Sequence, residues 1–351
     1  MMRRPTLPLL RVRGVSLIEL LVGIVVAMAA VLVIMQMFRM AEGMRRSTAG
    51  GDDAQTTGAI ALSLLQRDLR QAGQGLMNPQ MLGCALTLPN TNTVPLLAPL
   101  LINPAGIPAG DANTDVLLVS YGAGDSSPEG SLISAQPTAT SYAVTAPLSF
   151  QVTDRIIITT PTRAFPCTLN LTGLTANPAG GLISVQTAVA SASNGVVFNL
   201  GPAPRFIAYA VRGARLTACD FMAQNCTSSD AANWTEVADN IVSLRALYAQ
   251  DTAAPRNGRV GVYNQTTPTM SAATSWCALT RIVGVSLTLV ARNRQPEKND
   301  VPASAPTWSG QASAPISLGG SDATKYRYKT FETTIPMRNT PGANEPAFLS
   351  C

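Results

Sequence analysis

The hydrophobic pattern of this chain changes period along its length. From Leu20 to Met35 every residue is apolar or glycine, sixteen in a row, and the run widens to twenty-four from Val15 to Phe38 with only Ser16, Glu19 and Gln36 interrupting it. Coiled at about 1.5 Å per residue, such a run spans a bilayer core of roughly 30 Å. The pattern predicts a membrane-crossing helix over 15–38. Arg3, Arg4, Arg11 and Arg13 precede it, and basic flanks stay cytoplasmic, which sends the rest of the chain outward. Past Phe38, polar residues return at Arg39, Glu42, Arg45 and Arg46, so 39–75 reads as an amphipathic continuation. Gly50–Gly51 is a weak point where a helix could bend or break. From Ala54 on, Ile60, Leu62, Leu64, Leu65 and Leu69 make an apolar stripe at three- and four-residue spacing, with Arg67, Asp68 and Arg70 mostly off it. The stripe reads as packing against the body. Gly73 and Gly75 are helix stops.

From residue 76 to 351 the pattern is that of strands and loops. Thr114–Gly122, Asp154–Thr160, Gly195–Leu200 and Arg205–Val211 are short β-rich runs bounded by Gly, Pro, Asn or Asp. Arg281–Asn293 alternates Val283, Val285, Leu287 and Leu289 with polar Ser286 and Thr288, which predicts a half-buried strand. The stretches 95–113 and 122–137, rich in Pro, Ala, Gly and Thr, read as long surface loops or decorations.

Composition narrows the class. Among 351 residues, 46% are hydrophobic and 13% charged, enough apolar material for a real core. The formal charge of +5 is misleading. Four of the 25 basic residues lie in the first fourteen positions, and without them 21 face 20 acids, about +1. Basicity therefore belongs to a leader and is no nucleic-acid footprint. Histidine is absent, which excludes Ser-His, Cys-His and His-ligated zinc chemistry. No C-x-x-C pair occurs among Cys84, Cys167, Cys219, Cys226, Cys277 and Cys351. An even count in an exported chain suggests disulfides, and Cys219 with Cys226 is the pair the spacing favours, buried thiols being the alternative.

Two motifs invite chemistry. Asp111–Asp115 opens like a calcium loop, but Val116 stands where that loop needs glycine and Gly122 where it needs glutamate, so a polar turn into a strand fits better. Lys325–Lys329 interleaves cations with tyrosines. On a strand, Lys325, Arg327 and Lys329 would share one face and Tyr326 and Tyr328 the other. In a near-neutral chain that reads as a solvated face at a guarded sheet edge and not as a nucleic-acid contact. No Walker A loop, G-x-S-x-G or G-x-G-x-x-G occurs, and the carboxylates are scattered. No catalytic site, cofactor or metal is expected.

Glu19 remains to be explained, because a carboxylate at the mouth of a membrane segment is expensive. A cleaved secretory signal would use Ala27–Met28–Ala29, but the apolar run continues to Met35 without a break. A plain anchor gives Glu19 no role. The stretch from Arg13 to Met28, RGVSLIELLVGIVVAM, resembles the N-terminus of type IV pilins and pseudopilins: a short basic leader ending in glycine, a cut, and glutamate at the fifth mature position. Val15 departs from the family's usual phenylalanine at the first mature position. Ala61–Gly73, ALSLLQRDLRQAG, resembles the corresponding segment of PilW-type minor pilins. So do Val237–Asp251, with a short helical start leading into a strand, and Arg327–Asn339.

The resemblance implies an α+β, pilin-like fold, with a long N-terminal helix packed on a β-rich domain. Its parts would be a leader 1–14, a membrane and filament-core helix 15–38, its amphipathic half 39–75, and a globular domain 76–351 with a variable middle 76–235 and a PilW-like part 236–340. It implies cleavage between Gly14 and Val15 by a prepilin peptidase, N-methylation of Val15, and a charge pair between Glu19 and a neighbouring subunit's amine that fixes register during assembly. The implied partners are other minor and major pilins, that peptidase and an inner-membrane assembly platform. The chain would sit in the inner membrane with its C-terminal domain in the periplasm, and then enter a pilus, priming assembly and displaying a tip surface. The alternatives are a J-type pseudopilin of type II secretion, or an anchored adhesion domain that never polymerises.

Overall fold

The structure, a computed structural model, describes residues 14–124, 127, 129–272, 274–297, 300–301, 306–309, 316–318, 323–339 and 351. The predicted leader up to residue 13 lies outside the described residues. The chain divides into two compact units, Met1–Gly50 and Gly51–Cys351.

One helix, Leu17–Gln71, contributes to both units. Gly50 and Gly51, the expected point of bending or breakage, lie within it. In the first unit every described side chain from Gly14 to Arg45 is exposed, and the segment is apolar and long enough to cross a membrane. From Gly51 on, the helix buries one face.

That face differs from the predicted stripe. Ala54, Gly58, Ala61, Leu65, Asp68, Leu69 and Ala72 are buried, at helical spacing, whereas Ile60 is 53% exposed. The reason is distance. A Cβ added to Gly58 would overlap the Phe331 ring, so the helix lies too close to the sheet for large side chains along its middle. The helix stops as expected: Gly73 and Gly75 take φ of +83° and +70°. Asn339 caps the end, its side-chain amide donating to the carbonyls of Gln71 (3.0 Å) and Ala72 (3.2 Å).

Three sheets follow. The first has eight strands in the order Thr93–Val94, Ala85–Thr87, Thr168–Gly173, Arg155–Thr159, Val196–Asn199, Ser131–Thr138, Ser141–Val144 and Leu182–Ser184. The second has five: Thr235–Ala238, Leu216–Asp220, Arg205–Val211, Leu117–Tyr121 and Leu100–Ile102. The third has four: Val262–Asn264, Ile241–Gln250, Ile282–Arg292 and Tyr328–Pro336. The main core joins the helix face to all three sheets. The eight-stranded sheet also has a core of its own, around Ile133, Tyr142, Ile156, Ile158 and Ile183.

The predicted β-rich runs become strands, and the fold is the expected α+β arrangement of a long N-terminal helix and a β-rich body. Four expectations need correction. Leu100–Ile102 and Ser131–Thr138 are strands inside the stretches read as loops. Val237 begins no helix: it lies in the strand Thr235–Ala238, Asn240 turns the chain at φ +54°, and the long strand Ile241–Gln250 follows. Ile282–Arg292 is buried on both faces, with Ser286 and Thr288 inside, because it is an interior strand whose second face is covered by Trp308 and Ile316. Polar residues on that face therefore do not mark solvent. The fourth concerns the cation–tyrosine stretch: Lys325 closes a short 3-10 turn and the strand begins only at Tyr328, so the five residues do not share one strand.

Candidate functional site on the N-terminal helix

Gly14, Val15 and Ser16 precede the helix in non-helical backbone. Nothing lies within 4 Å of where a Gly14 Cβ would be, and Val15 is 70% exposed, so this junction is open on the protein's own side. Ser16 supplies the first helical acceptor, its carbonyl taking the Leu20 N–H at 3.1 Å. Glu19 sits in the first turn, where the helix dipole favours a negative charge. Its carboxylate has neither hydrogen bond nor ion pair among the described residues, and its neighbours Leu17, Ile18, Leu20 and Leu21 are all more than half exposed. The site thus consists of an open junction, one carboxylate and an apolar sheath. It presents a charge that no described residue of the chain compensates.

A second carboxylate on the same helix is fully engaged. Asp68 is 2% exposed. The Tyr209 hydroxyl donates to its Oδ2, the Arg67 guanidinium lies 3.3 Å from Oδ1, and the Tyr121 hydroxyl is a further hydrogen-bonding partner. Burial first, and then the Asp68 charge, push the Tyr121 phenol up to about 12. Tyr209 is raised by burial and by the same carboxylate. Tyr121 and Tyr209 lie on neighbouring strands of the five-stranded sheet, so Asp68 pins the helix to that sheet. Pattern reading put Asp68 off the apolar stripe. Its three-residue spacing from Leu65 and seven-residue spacing from Ala61 were the available signal.

Cys219 is bonded to Cys226, and Cys84–Cys167 and Cys277–Cys351 are also disulfides. The Asp111–Asp115 stretch is a turn before Leu117–Tyr121. Asp111 accepts the N–H groups of Gly213 and Ala214, both at 2.9 Å. Asp115 accepts from Asn103, Ala246 and Gln265 at 3.0, 2.9 and 2.7 Å. These carboxylates are aimed at different amides and share no ligand position. Near the C-terminus, Lys325 pairs with Asp300 at 2.7 Å and Arg327 with Glu297 at 2.9 Å, so these cations answer acids of their own chain.

The chain thus has a long helix, apolar and exposed at its start and packed on β-sheets at its end. Residues 208–339, somewhat more than a third of the chain, match the family described as type IV pilus-assembly protein W. The match begins ahead of Val237, where the C-terminal part of the resemblance starts, and does not include the helix. No curated protein matches it. Among solved structures, a type IV-like pilin from Thermus thermophilus aligns at 12% identity over 83% of this chain and 98% of that one, with a TM-score of 0.34.

Proposed function

We propose that the chain is a minor pilin of a type IV pilus, made as a membrane-inserted prepilin, cut between Gly14 and Val15, N-methylated at Val15, and incorporated with other minor and major pilins to prime assembly. The single observation that supports this best is the PilW match in the body of a chain whose helix starts three residues past Gly14. The physical reading concerns Glu19. Once the helix is buried among neighbours in a filament, a bare carboxylate costs several kcal/mol. A neighbouring subunit's terminal amine, freed by the cut, removes that penalty at only one axial offset. Display of a tip surface is part of the same proposal, and the segment 76–235, with a second core inside it, is the candidate for it.

Intact-mass and N-terminal peptide analysis of the protein from its native host tests this reading. The expected terminus is methylated Val15. An uncut Met1, or a terminus near Ala30, overturns it.

A further inference from the structure

The described strands leave six sheet edges, and five of them are short. Thr93–Val94, Leu182–Ser184, Thr235–Ala238, Leu100–Ile102 and Val262–Asn264 have two to four residues each. The sixth, Tyr328–Pro336, has nine, and it pairs with Ile282–Arg292 over nine consecutive positions without a bulge. Short edges, bulges, prolines and lysines are how proteins keep edges from pairing with other chains. This edge has no bulge and is not short.

Its backbone direction is fixed at both ends. The Met337 N–H donates to the Val283 carbonyl at 2.9 Å, and the Asn293 N–H to the Arg327 carbonyl at 3.1 Å. Antiparallel ladders alternate bonded and non-bonded pairs. Lys329, Phe331, Thr333 and Ile335 therefore turn their backbone groups to the neighbouring strand, and Tyr328, Thr330, Glu332 and Thr334 turn theirs outward. None of those outward groups has a partner among the described residues. Exposed Lys329 and Pro336 guard the two ends. Between them Thr330, Glu332 and Thr334 remain, each with one N–H and one C=O. The Glu332 carboxylate keeps its charge and is held in place by the Ser309 N–H at 3.1 Å.

We propose that this edge is a docking strand that accepts one extended segment of a neighbouring, different pilin-like subunit as an added β-strand. A row of outward N–H and C=O groups is matched only by another extended backbone. A second copy of this chain fits poorly, because symmetric pairing centred anywhere from Phe331 to Thr333 sets two Glu332 carboxylates opposite or diagonal to each other, where like charges repel. The partner's identity rests on the assembly reading above, and the mode of pairing rests on the edge geometry alone.

The test uses the full-length, detergent-solubilised protein, alone and co-expressed with the other pilin subunits of its host. Hydrogen exchange should be fast at Thr330, Glu332 and Thr334 and slow at Phe331, Thr333 and Ile335 in the isolated protein, and at least tenfold slower at the first three in the complex. T330P and T334P each remove an outward donor that the sheet does not use. They should lower capture of the partner subunit at least tenfold, while T330V should leave it unchanged. Capture with unaltered exchange at all three amides overturns the docking strand and leaves the assembly reading intact, as does full capture by folded T330P. Slowed exchange in the protein alone at high concentration would assign the edge to self-pairing and overturn the choice of partner. A wild type that captures no pilin subunit overturns both readings.

Discussion

Glu19 and Asp68 are carboxylates on one helix in opposite circumstances. Glu19 is exposed in an apolar sheath and has no partner among the described residues, whereas Asp68 is 2% exposed and has Tyr209, Tyr121 and Arg67. Asp68 is needed to hold the folded protein together, because its removal strands buried phenols. Glu19 makes no comparable contact among the described residues, and the proposed assembly role gives it a partner on another molecule. A buried charge that is fully hydrogen-bonded is a structural device, whereas an apolar-sheathed charge is costly until a partner compensates it. The two residues should therefore fail in different assays.

The largest effect is expected at Glu19. Glu19→Ala should leave the thermal stability of the detergent-solubilised protein within about 0.5 kcal/mol, as for a surface change, and should leave cleavage after Gly14 normal. Incorporation into pili should fall at least tenfold, as read by immunoblot of sheared filaments. Unchanged incorporation would remove the charge-pair role and with it the contrast between the two carboxylates.

Asp68→Ala should do the reverse. It leaves two buried hydroxyls without their shared acceptor, and losing hydrogen bonds to a charged group costs about 3 kcal/mol. For a body of this size that lowers Tm by roughly 5 °C. The milder Asp68→Asn keeps the shape and removes the charge. Part of what raises the Tyr121 phenol to about 12 then disappears, so its phenolate absorbance should emerge at lower pH, back toward 10. The sign of the accompanying stability change follows. Tyr121 keeps its proton when folded while the unfolded chain loses it, so the wild type is fully stable in this respect below pH 10 and loses stability between pH 10 and 12. Asp68→Asn should narrow that window. A stable Asp68→Ala protein with an unshifted tyrosine titration would show that the helix is held by its apolar contacts alone.

The helix and the type of body were legible in the sequence because they rest on local patterns: an uninterrupted apolar run, glycine stops and short strands between turn residues. The misread parts share a physical origin. The apolar stripe includes Ile60 and not Gly58 because hydrophobicity marks burial only where there is room, while a close helix-to-sheet approach selects for small residues. Ser286 and Thr288 were assigned to solvent because a strand's second face was assumed open, and only a distant segment carrying Trp308 and Ile316 closes it. Asp68 was legible as part of a motif but not as buried, since its partners Tyr121 and Tyr209 lie 53 and 141 residues away in sequence. The junction at Gly14 and Val15 was read from a motif, and the structure adds that its backbone is open.

The smallest effect tests the close approach itself. Gly58→Ala improves helix propensity by about 1 kcal/mol, so on a helix face with room it would stabilise the protein. Here the new methyl group meets the Phe331 ring, and overpacking typically costs about 1–3 kcal/mol. The net expectation is a loss of about 1 kcal/mol in denaturant unfolding. The same ring identifies the cause: Phe331→Leu makes space beside the helix, so adding Gly58→Ala on that background should be neutral or stabilising. Phe331 turns its side chain to the helix and its backbone to Ile282–Arg292, so the pair also reports whether the last strand keeps its register. A stabilising Gly58→Ala in the otherwise unchanged protein would mean that the helix has room to withdraw from the sheet. The small residues at Ala54, Gly58 and Ala61 would then need an explanation other than contact distance.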